Sequence, residues 1–186
     1  MSEQNKLQPK HLKSGERCVT NNYATASWWW LCRYVGDLQY IEPTDKVIDV
    51  GCGCGIGTSI LAEKANLIVG IDDSAEAIEY AKQYWQRPNI YYFKKDCFEM
   101  KDTYDVVIAH ELIEHVRDVP QLFDLWGKLT RKYIIFTTPL DTEQIKNRYH
   151  WKHYSPQELE GFLNKNGFDL ILKKFMGLPY YIGRKA

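Results

Sequence analysis

Three groups of residues in this chain have the types and spacing to do chemistry. The first is Asp49-Val50-Gly51-Cys52-Gly53-Cys54-Gly55. Its alternating glycines carry no Cβ, so the backbone can approach a bound ligand closely. The second is a single carboxylate, Asp72, which ends the apolar run Ile68-Val69-Gly70-Ile71. An acid at a strand tip about twenty residues beyond a glycine turn is placed to accept hydrogen bonds from the two hydroxyls of a ribose. The third is His110-Glu111-Leu112-Ile113-Glu114-His115-Val116. Its imidazoles can take a proton near neutral pH, and its carboxylates and imidazole together could hold a divalent ion. The glycine turn and the terminal acid point to an adenosine-type ligand.

The glycine spacing narrows that ligand. A dinucleotide fingerprint, G-x-G-x-x-G, would need a glycine at Ile56, and this chain reads D-x-G-x-G-x-G instead. Asp49 puts a carboxylate where a pyrophosphate would otherwise lie, which suits a cationic ligand such as S-adenosyl-L-methionine and disfavours a nicotinamide dehydrogenase. On Asp49, the three glycines and Asp72, the chain resembles the class I S-adenosylmethionine-dependent methyltransferases. The resemblance runs over nearly the whole chain from Gly15 onward. It is nearest to small ubiquinone-pathway O-methyltransferase-like enzymes, which share an E-x-x-E-H segment, here Glu111 to His115. It also extends to bacterial methyltransferases of cell-surface glycan assembly, through Gly15-Glu16-Arg17, a helix ending in Arg33-Tyr34, and a histidine ahead of a capped helix, His150 to Leu159.

The resemblance implies a cofactor set of Asp49, Gly51, Gly53, Gly55, Asp72, Asp73, Asp96, Cys97 and His110. In the family an acid at the position of Asp96 accepts from the adenine amino group, the next backbone amide meets the ring, and the residue at His110 touches the cofactor from the fourth strand tip. Asp73 also suits a helix N-cap. His110, His115 and His150 are the candidate general bases. The expected reaction is oxygen methylation of a small-molecule or glycan acceptor, without a metal. No N-P-P-Y-type tetrapeptide follows the fourth strand, which disfavours methylation of a base or glutamine amine. Two alternatives stand beside it. Small-RNA 2′-O-methyltransferases use an E-x-x-E-H segment plus a later histidine, for which His150 and His153 are the candidates, to bind magnesium or manganese, which would make Glu111, Glu114, His115 and His150 a metal site. A cofactor-binding partner subunit with no catalysis of its own is the other.

These residues need a frame that brings them to one edge. Apolar strands at about Lys46–Val50, up to Asp72, Ile90–Phe93, Asp105–Ala109 and Tyr133–Thr137 alternate with helical patterns after Gly55, near Ser74 and after Asp118. Such alternation makes a doubly wound parallel sheet, an α/β fold, with its ligand at the C-terminal strand ends. A further helix is expected over Tyr23–Leu38, with Trp28, Leu31, Cys32, Val35 and Leu38 facing inward and Trp29, Trp30, Arg33 and Tyr34 on the opposite face, where Trp29 or Trp30 could line the site mouth. Ser155-Pro156-Gln157-Glu158 is a capping box opening a helix that stops at Gly167, and two last strands form an antiparallel pair. The resemblance implies seven strands with the last antiparallel. Residues 1–16 read as a mobile segment and 17–186 as one domain. Gly127 to Lys132 replaces the usual glycine pair before the fifth strand, so an atypical turn is expected there.

Composition limits the partners. The chain of 186 residues carries 24 basic and 24 acidic side chains, so no overall field holds it on nucleic acid. Five scattered cysteines with no C-x-x-C read as reduced thiols, which points to the cytoplasm. No apolar stretch is long enough to span a membrane.

Overall fold

The structure, a computed structural model, describes residues 10–11, 18–139, 149–175 and 178–186. Two-residue strands β1 (Lys10–His11) and β2 (Cys18–Val19) pair antiparallel ahead of the main body. The rest of the N-terminal segment expected to be mobile, with Gly15-Glu16-Arg17, lies outside the described residues. So does the middle of the long loop after the fifth expected strand.

One seven-stranded sheet organises everything else. Its strands are β3 (Lys46–Val50), β4 (Leu67–Asp72), β5 (Ile90–Lys94), β6 (Tyr104–His110), β7 (Thr130–Thr137), β8 (Phe168–Phe175) and β9 (Leu178–Lys185), in the order β5-β4-β3-β6-β7-β9-β8. All neighbours are parallel except β9, which runs antiparallel to β7 and β8. Val47, Ile48, Val50, Val106, Val107 and Ile108 are buried because helices cover both faces, which is why these strands read as unbroken apolar runs. The chain leaves β3 toward β4 on one side and reaches β6 on the other, so a crevice opens between the β3 and β6 tips.

Among the described residues five α-helices cover the sheet: α1 (Trp28–Asp37), α2 (Ile56–Leu61), α3 (Ala75–Tyr84), α4 (Val119–Leu129) and α5 (Pro156–Lys165). Tyr34, Ile60, Ile78, Ala81 and Trp85 form one core with β3, β4 and β6, while Phe123, Trp126, Leu159 and Leu163 form the other with β6, β7 and β9. The expected start signals of α4 and α5 hold. The Asp118 side chain accepts from Gln121 N–H, and the Ser155/Glu158 capping box closes reciprocally. Gly167 ends the α5 region with a φ of +77°. The atypical turn is real: α4 ends at Leu129 and β7 begins at Thr130, with no intervening loop.

The N-terminal helix corrects the sequence reading twice. It is shorter, with a separate 3-10 turn at Tyr23–Thr25, and it is rotated. Trp28 and Val35 are 48% and 57% exposed, whereas Arg33, Tyr34 and Asp37 face inward. The polar residues win the inner face because partners wait for them there, described below. Trp30 is exposed and does not line the cleft, and the side chain of Trp29 lies outside the described residues.

Tyr34 packs so closely on α2 that a Cβ at Gly57 would lie 2.0 Å from its ring. Alanine at this helical position should gain about 1 kcal/mol from propensity. The clash should reverse that sign, leaving Gly57→Ala about 1–3 kcal/mol less stable. Denaturant unfolding of the single variants and of Tyr34→Ala/Gly57→Ala checks it. The double variant should be more stable than the sum of the two singles predicts.

Candidate functional site

The turn after β3 is shaped by its glycines and by Asp72. Gly51, Gly53 and Gly55 have φ of 75°, 52° and 88°, left-handed values that favour glycine. Gly51 N–H and Cys52 N–H both donate to the Ile71 carbonyl, at 2.8 and 2.9 Å. Gly53 N–H donates to Asp72 Oδ2 and Ser74 N–H to Asp72 Oδ1, each at 2.9 Å. One carboxylate thus ties the glycine turn to the start of α3. The N-cap of α3 is Ser74, whose hydroxyl accepts from Ala77 N–H, so Asp73 is not the cap. A Cβ at Gly53 would meet nothing within 4 Å, so the approach to this backbone is open.

Asp49 is fully buried. Thr58 donates its hydroxyl to Asp49 Oδ2 at 2.6 Å, while Oδ1 has no hydrogen-bond partner among the described residues. Burial pushes its pKa up to about 7, against the pull of the Thr58 hydrogen bond and of His110.

A cleft of about 510 Å³ opens at the crevice, lined by Gly51, Asp72, Asp73, Asp96, Cys97, Phe98, Glu111, Leu112 and His115. A shallower groove of about 640 Å³ runs along the β5 edge beside Lys82, Arg87 and Tyr91, and it contains none of the candidate residues. Asp96 caps a 3-10 turn, Cys97–Glu99, accepting from Phe98 N–H at 2.8 Å. Burial, and then Asp96, push the Cys97 thiol up to about 12, so it is no thiolate nucleophile.

The three candidate bases part company. His110 is buried with both ring nitrogens engaged, Nε2 with Asp37 Oδ2 at 2.8 Å and Nδ1 with Thr137 Oγ1 at 3.3 Å. Its side chain is not among those lining the cleft. Tyr180 donates its hydroxyl to the other oxygen of Asp37. Glu111, at φ 51°, accepts from Thr137 Oγ1 and pairs with Arg33, both at 2.9 Å. That second tie takes its carboxylate out of the metal set proposed for it.

Glu114, His115 and His150 do come together, with one ligand atom of each within 4.8 Å of the others. The segment makes a 3-10 turn, Ile113–His115, and the later loop docks on it: Trp151 N–H donates to the Glu114 carbonyl at 2.8 Å, and His115 Nδ1 donates to the Tyr149 carbonyl at 3.1 Å. Glu114 is 1% exposed, and neither carboxylate oxygen has a hydrogen bond among the described residues. Burial and the Glu111 charge push its pKa up to about 8, while the nearby Thr138 hydroxyl and Arg33 hold it down.

The sequence reading missed several residues here. Tyr149, Trp151 and Arg117 line the cleft, with the Arg117 guanidinium 4.0 Å from the Trp151 ring centre. Trp151 lies inside the quoted histidine segment, so an aromatic between histidines was the available signal. Asp37, Thr137 and Tyr180 gave none, because their partners are distant in sequence.

Glu114 and Asp49 both sit above their unfolded-chain values of 4.5 and 3.8. The folded state therefore binds more protons than the unfolded chain between about pH 4 and 8, and stability falls across that window. Their contribution is intact below pH 4 and lost as pH rises through about 7 and 8. Thermal melts in chelator-treated buffer should show Tm declining from pH 5 to 8, with a shallower slope in Glu114→Gln.

Comparison with known proteins agrees with this geometry. A methyltransferase domain family matches residues 31–173. Phosphoethanolamine N-methyltransferase 3 of Arabidopsis thaliana is 33% identical over 140 residues, 72% of this chain and 27% of that protein. The ubiquinone biosynthesis O-methyltransferase of Pelagibacter ubique is 26% identical over 166 residues, 74% of this chain and 66% of the relative. The chain thus spans about a quarter of the length of the phosphoethanolamine enzymes it matches. Magnesium protoporphyrin IX methyltransferase of Synechocystis, solved with bound SAH, superposes with a TM-score of 0.67 at 18% identity, over 85% of this chain and 81% of its own. A Haloferax volcanii methyltransferase in complex with the Trm112 activator superposes with a TM-score of 0.70 at 14% identity, over 84% and 94%. No helix among the described residues is long and apolar enough to cross a membrane.

Proposed function

The chain belongs to the methyltransferase domain family, and from that premise we propose that it transfers the methyl group of S-adenosylmethionine to an oxygen of a small-molecule or glycan acceptor. The observation that carries this reading is the coincidence of Asp72 and the open glycine turn in one cleft at the crevice between β3 and β6. The residues present fit the cofactor. Asp72 reaches the cleft from the tip of β4, Asp96 and Cys97 flank the cleft where an adenine would lie, and the Oδ1 of Asp49, buried at the end of β3, has no hydrogen-bond partner among the described residues. When bound, the cofactor supplies a methyl carbon activated by a positively charged sulfur.

The protein's own task is then to hold the acceptor in line and to remove its proton. Well-oriented pairs reach effective molarities of about 10⁵–10⁸ M, and a positioned base adds about 10²–10⁴-fold. His115 is the candidate best placed for the proton. It lines the cleft, and its Nδ1 proton is committed to the Tyr149 carbonyl, which leaves Nε2 as the basic nitrogen. His110 acts as a positioning group, held by Asp37 and Thr137. The reduced cysteines Cys32, Cys52 and Cys97 support a cytoplasmic enzyme.

One observation favours a second reading, the buried Glu114 carboxylate beside two imidazoles. Glu114, His115 and His150 would hold a divalent ion there, and such an ion would acidify an acceptor hydroxyl.

Isothermal titration should show saturable binding of S-adenosylmethionine and its demethylated product, and no binding of NAD. Asp72→Ala should weaken cofactor binding about ten- to a hundred-fold, from roughly 1.5–3 kcal/mol of charge-assisted hydrogen bonding, and Asp73→Ala less. NAD binding in place of S-adenosylmethionine would remove the premise.

A chelator separates the two readings of the acceptor side. Activity should persist in its presence if His115 is the base, and should vanish and return with added divalent ion if Glu114, His115 and His150 hold one.

A further inference from the structure

We propose that His153 is a positioning residue that fixes the tautomer of His150, making the Glu114–His115–His150 cluster a site for a nitrogen-preferring divalent ion such as zinc or cobalt rather than magnesium. The inference rests on the second reading above and extends it to a residue outside the cluster.

The argument starts from protons. An imidazole ligates a metal only through a nitrogen that carries no hydrogen, and the partner of its other nitrogen decides which one that is. His115 is already decided. Its Nδ1 meets the Tyr149 carbonyl at 3.1 Å, and a carbonyl can only accept, so the hydrogen is on Nδ1. The other nitrogen, Nε2, stands 4.0 Å from Glu114 Oε1. The lone pair of His115 therefore faces the carboxylate of the cluster.

His150 has the same logic with a different partner. Its Nδ1 lies 2.9 Å from His153 Nε2, and one of the two nitrogens must donate to the other. When His150 donates, its Nε2 carries the lone pair and can ligate an ion. When His153 donates, the hydrogen moves to His150 Nε2 and the ligand is lost. An ion in the cluster selects the first arrangement, and His153 is the acceptor that makes it available. The rings are set for this: His115 and His150 meet edge to face with centres 4.7 Å apart, and His150 and His153 with centres 5.1 Å apart. Both loop histidines are held near the turn by the Trp151 N–H bond to the Glu114 carbonyl.

The donor set chooses the ion. Two imidazoles and one carboxylate suit zinc, cobalt, nickel or iron, whereas magnesium demands oxygen ligands and octahedral geometry. Glu111 would have supplied a second carboxylate, but it is tied to Arg33 and Thr137.

The test is spectroscopic and uses the full chain, stripped with chelator and titrated with Co²⁺. Wild type should develop visible ligand-field absorption saturating at about one equivalent, as a single site requires, with zinc displacing it and excess magnesium not. His153→Ala should weaken cobalt binding about 10–100-fold, and His153→Gln, whose side-chain oxygen can accept from His150 Nδ1, should recover much of it. Glu114→Gln should abolish the signal. Binding of the demethylated cofactor product, measured on each variant, reports that the fold is intact. No cobalt signal in wild type would overturn the metal reading and this inference with it. A signal with equal affinity in wild type and His153→Ala would overturn the role of His153 alone. Displacement of cobalt by magnesium would overturn the proposed selectivity.

Discussion

Two carboxylates, the buried Asp37 and the half-buried Glu111, tie the tips of β6, β7 and β9 to α1. Asp37 on α1 takes hydrogen bonds from Tyr180 on β9 and pairs with His110 at the tip of β6. Glu111, the next residue, pairs with Arg33 on α1 and accepts from Thr137 at the tip of β7. A carboxylate taken out of water, as at Asp37, is tolerable only when it has partners, and removing one partner from a buried pair costs about 3–5 kcal/mol. Three strand tips and a helix from the other end of the sequence are therefore locked in one arrangement. The rotation of α1 follows from the same requirement. An outward turn that buried Val35 and Trp28 would have carried Asp37 away from His110 and Tyr180, and Arg33 away from Glu111.

That lock has a local consequence at Glu111. Its φ of 51° lies in the left-handed region, a conformation that costs of order 1–3 kcal/mol in a non-glycine residue and persists only where its surroundings over-determine it. Glu111 N–H bonds to the Thr137 carbonyl, and its side chain is held from two sides. The backbone is thereby turned sharply out of β6, which delivers Leu112 beneath Gly51 and starts the 3-10 turn that presents His115 to the cleft.

Most of the frame was legible because it depends on local chemistry. Apolar runs marked the strands, glycine marked the turn after β3, and the Ser155–Glu158 capping box marked the start of α5, each set by residues within a few positions of one another. The cofactor side was legible for the same reason, since Asp72 and the glycines lie on consecutive elements. The acceptor side was legible only as an inventory. His110, Glu111, Glu114, His115 and His150 were all identified, but the partition among them was decided by Arg33, Asp37, Thr137 and Tyr180, whose pairing spans up to 143 positions. No periodicity encodes such contacts. The amphipathic pattern of α1 misled because it scored Arg33 and Asp37 as solvent-facing, and only a charged partner waiting inside reverses that preference.

What remains after these pairings is uneven. Asp37, Glu111 and Asp72 have their hydrogen bonds, yet among the described residues one buried oxygen of Asp49 and both of Glu114 lack a hydrogen-bond partner. Leaving a buried acceptor unsatisfied costs about 1–3 kcal/mol, more for a charge, and a chain selected only for stability would replace such residues with apolar ones of similar volume. Both residues stand where a positively charged partner fits the proposed chemistry, Asp49 beneath the turn expected to face a sulfonium cofactor and Glu114 beside two imidazoles. Under that reading the missing hydrogen bonds are not defects of packing. They are the part of each site that a ligand would complete, and the pairings around Asp37 and Glu111 fix the strand tips beside those oxygens.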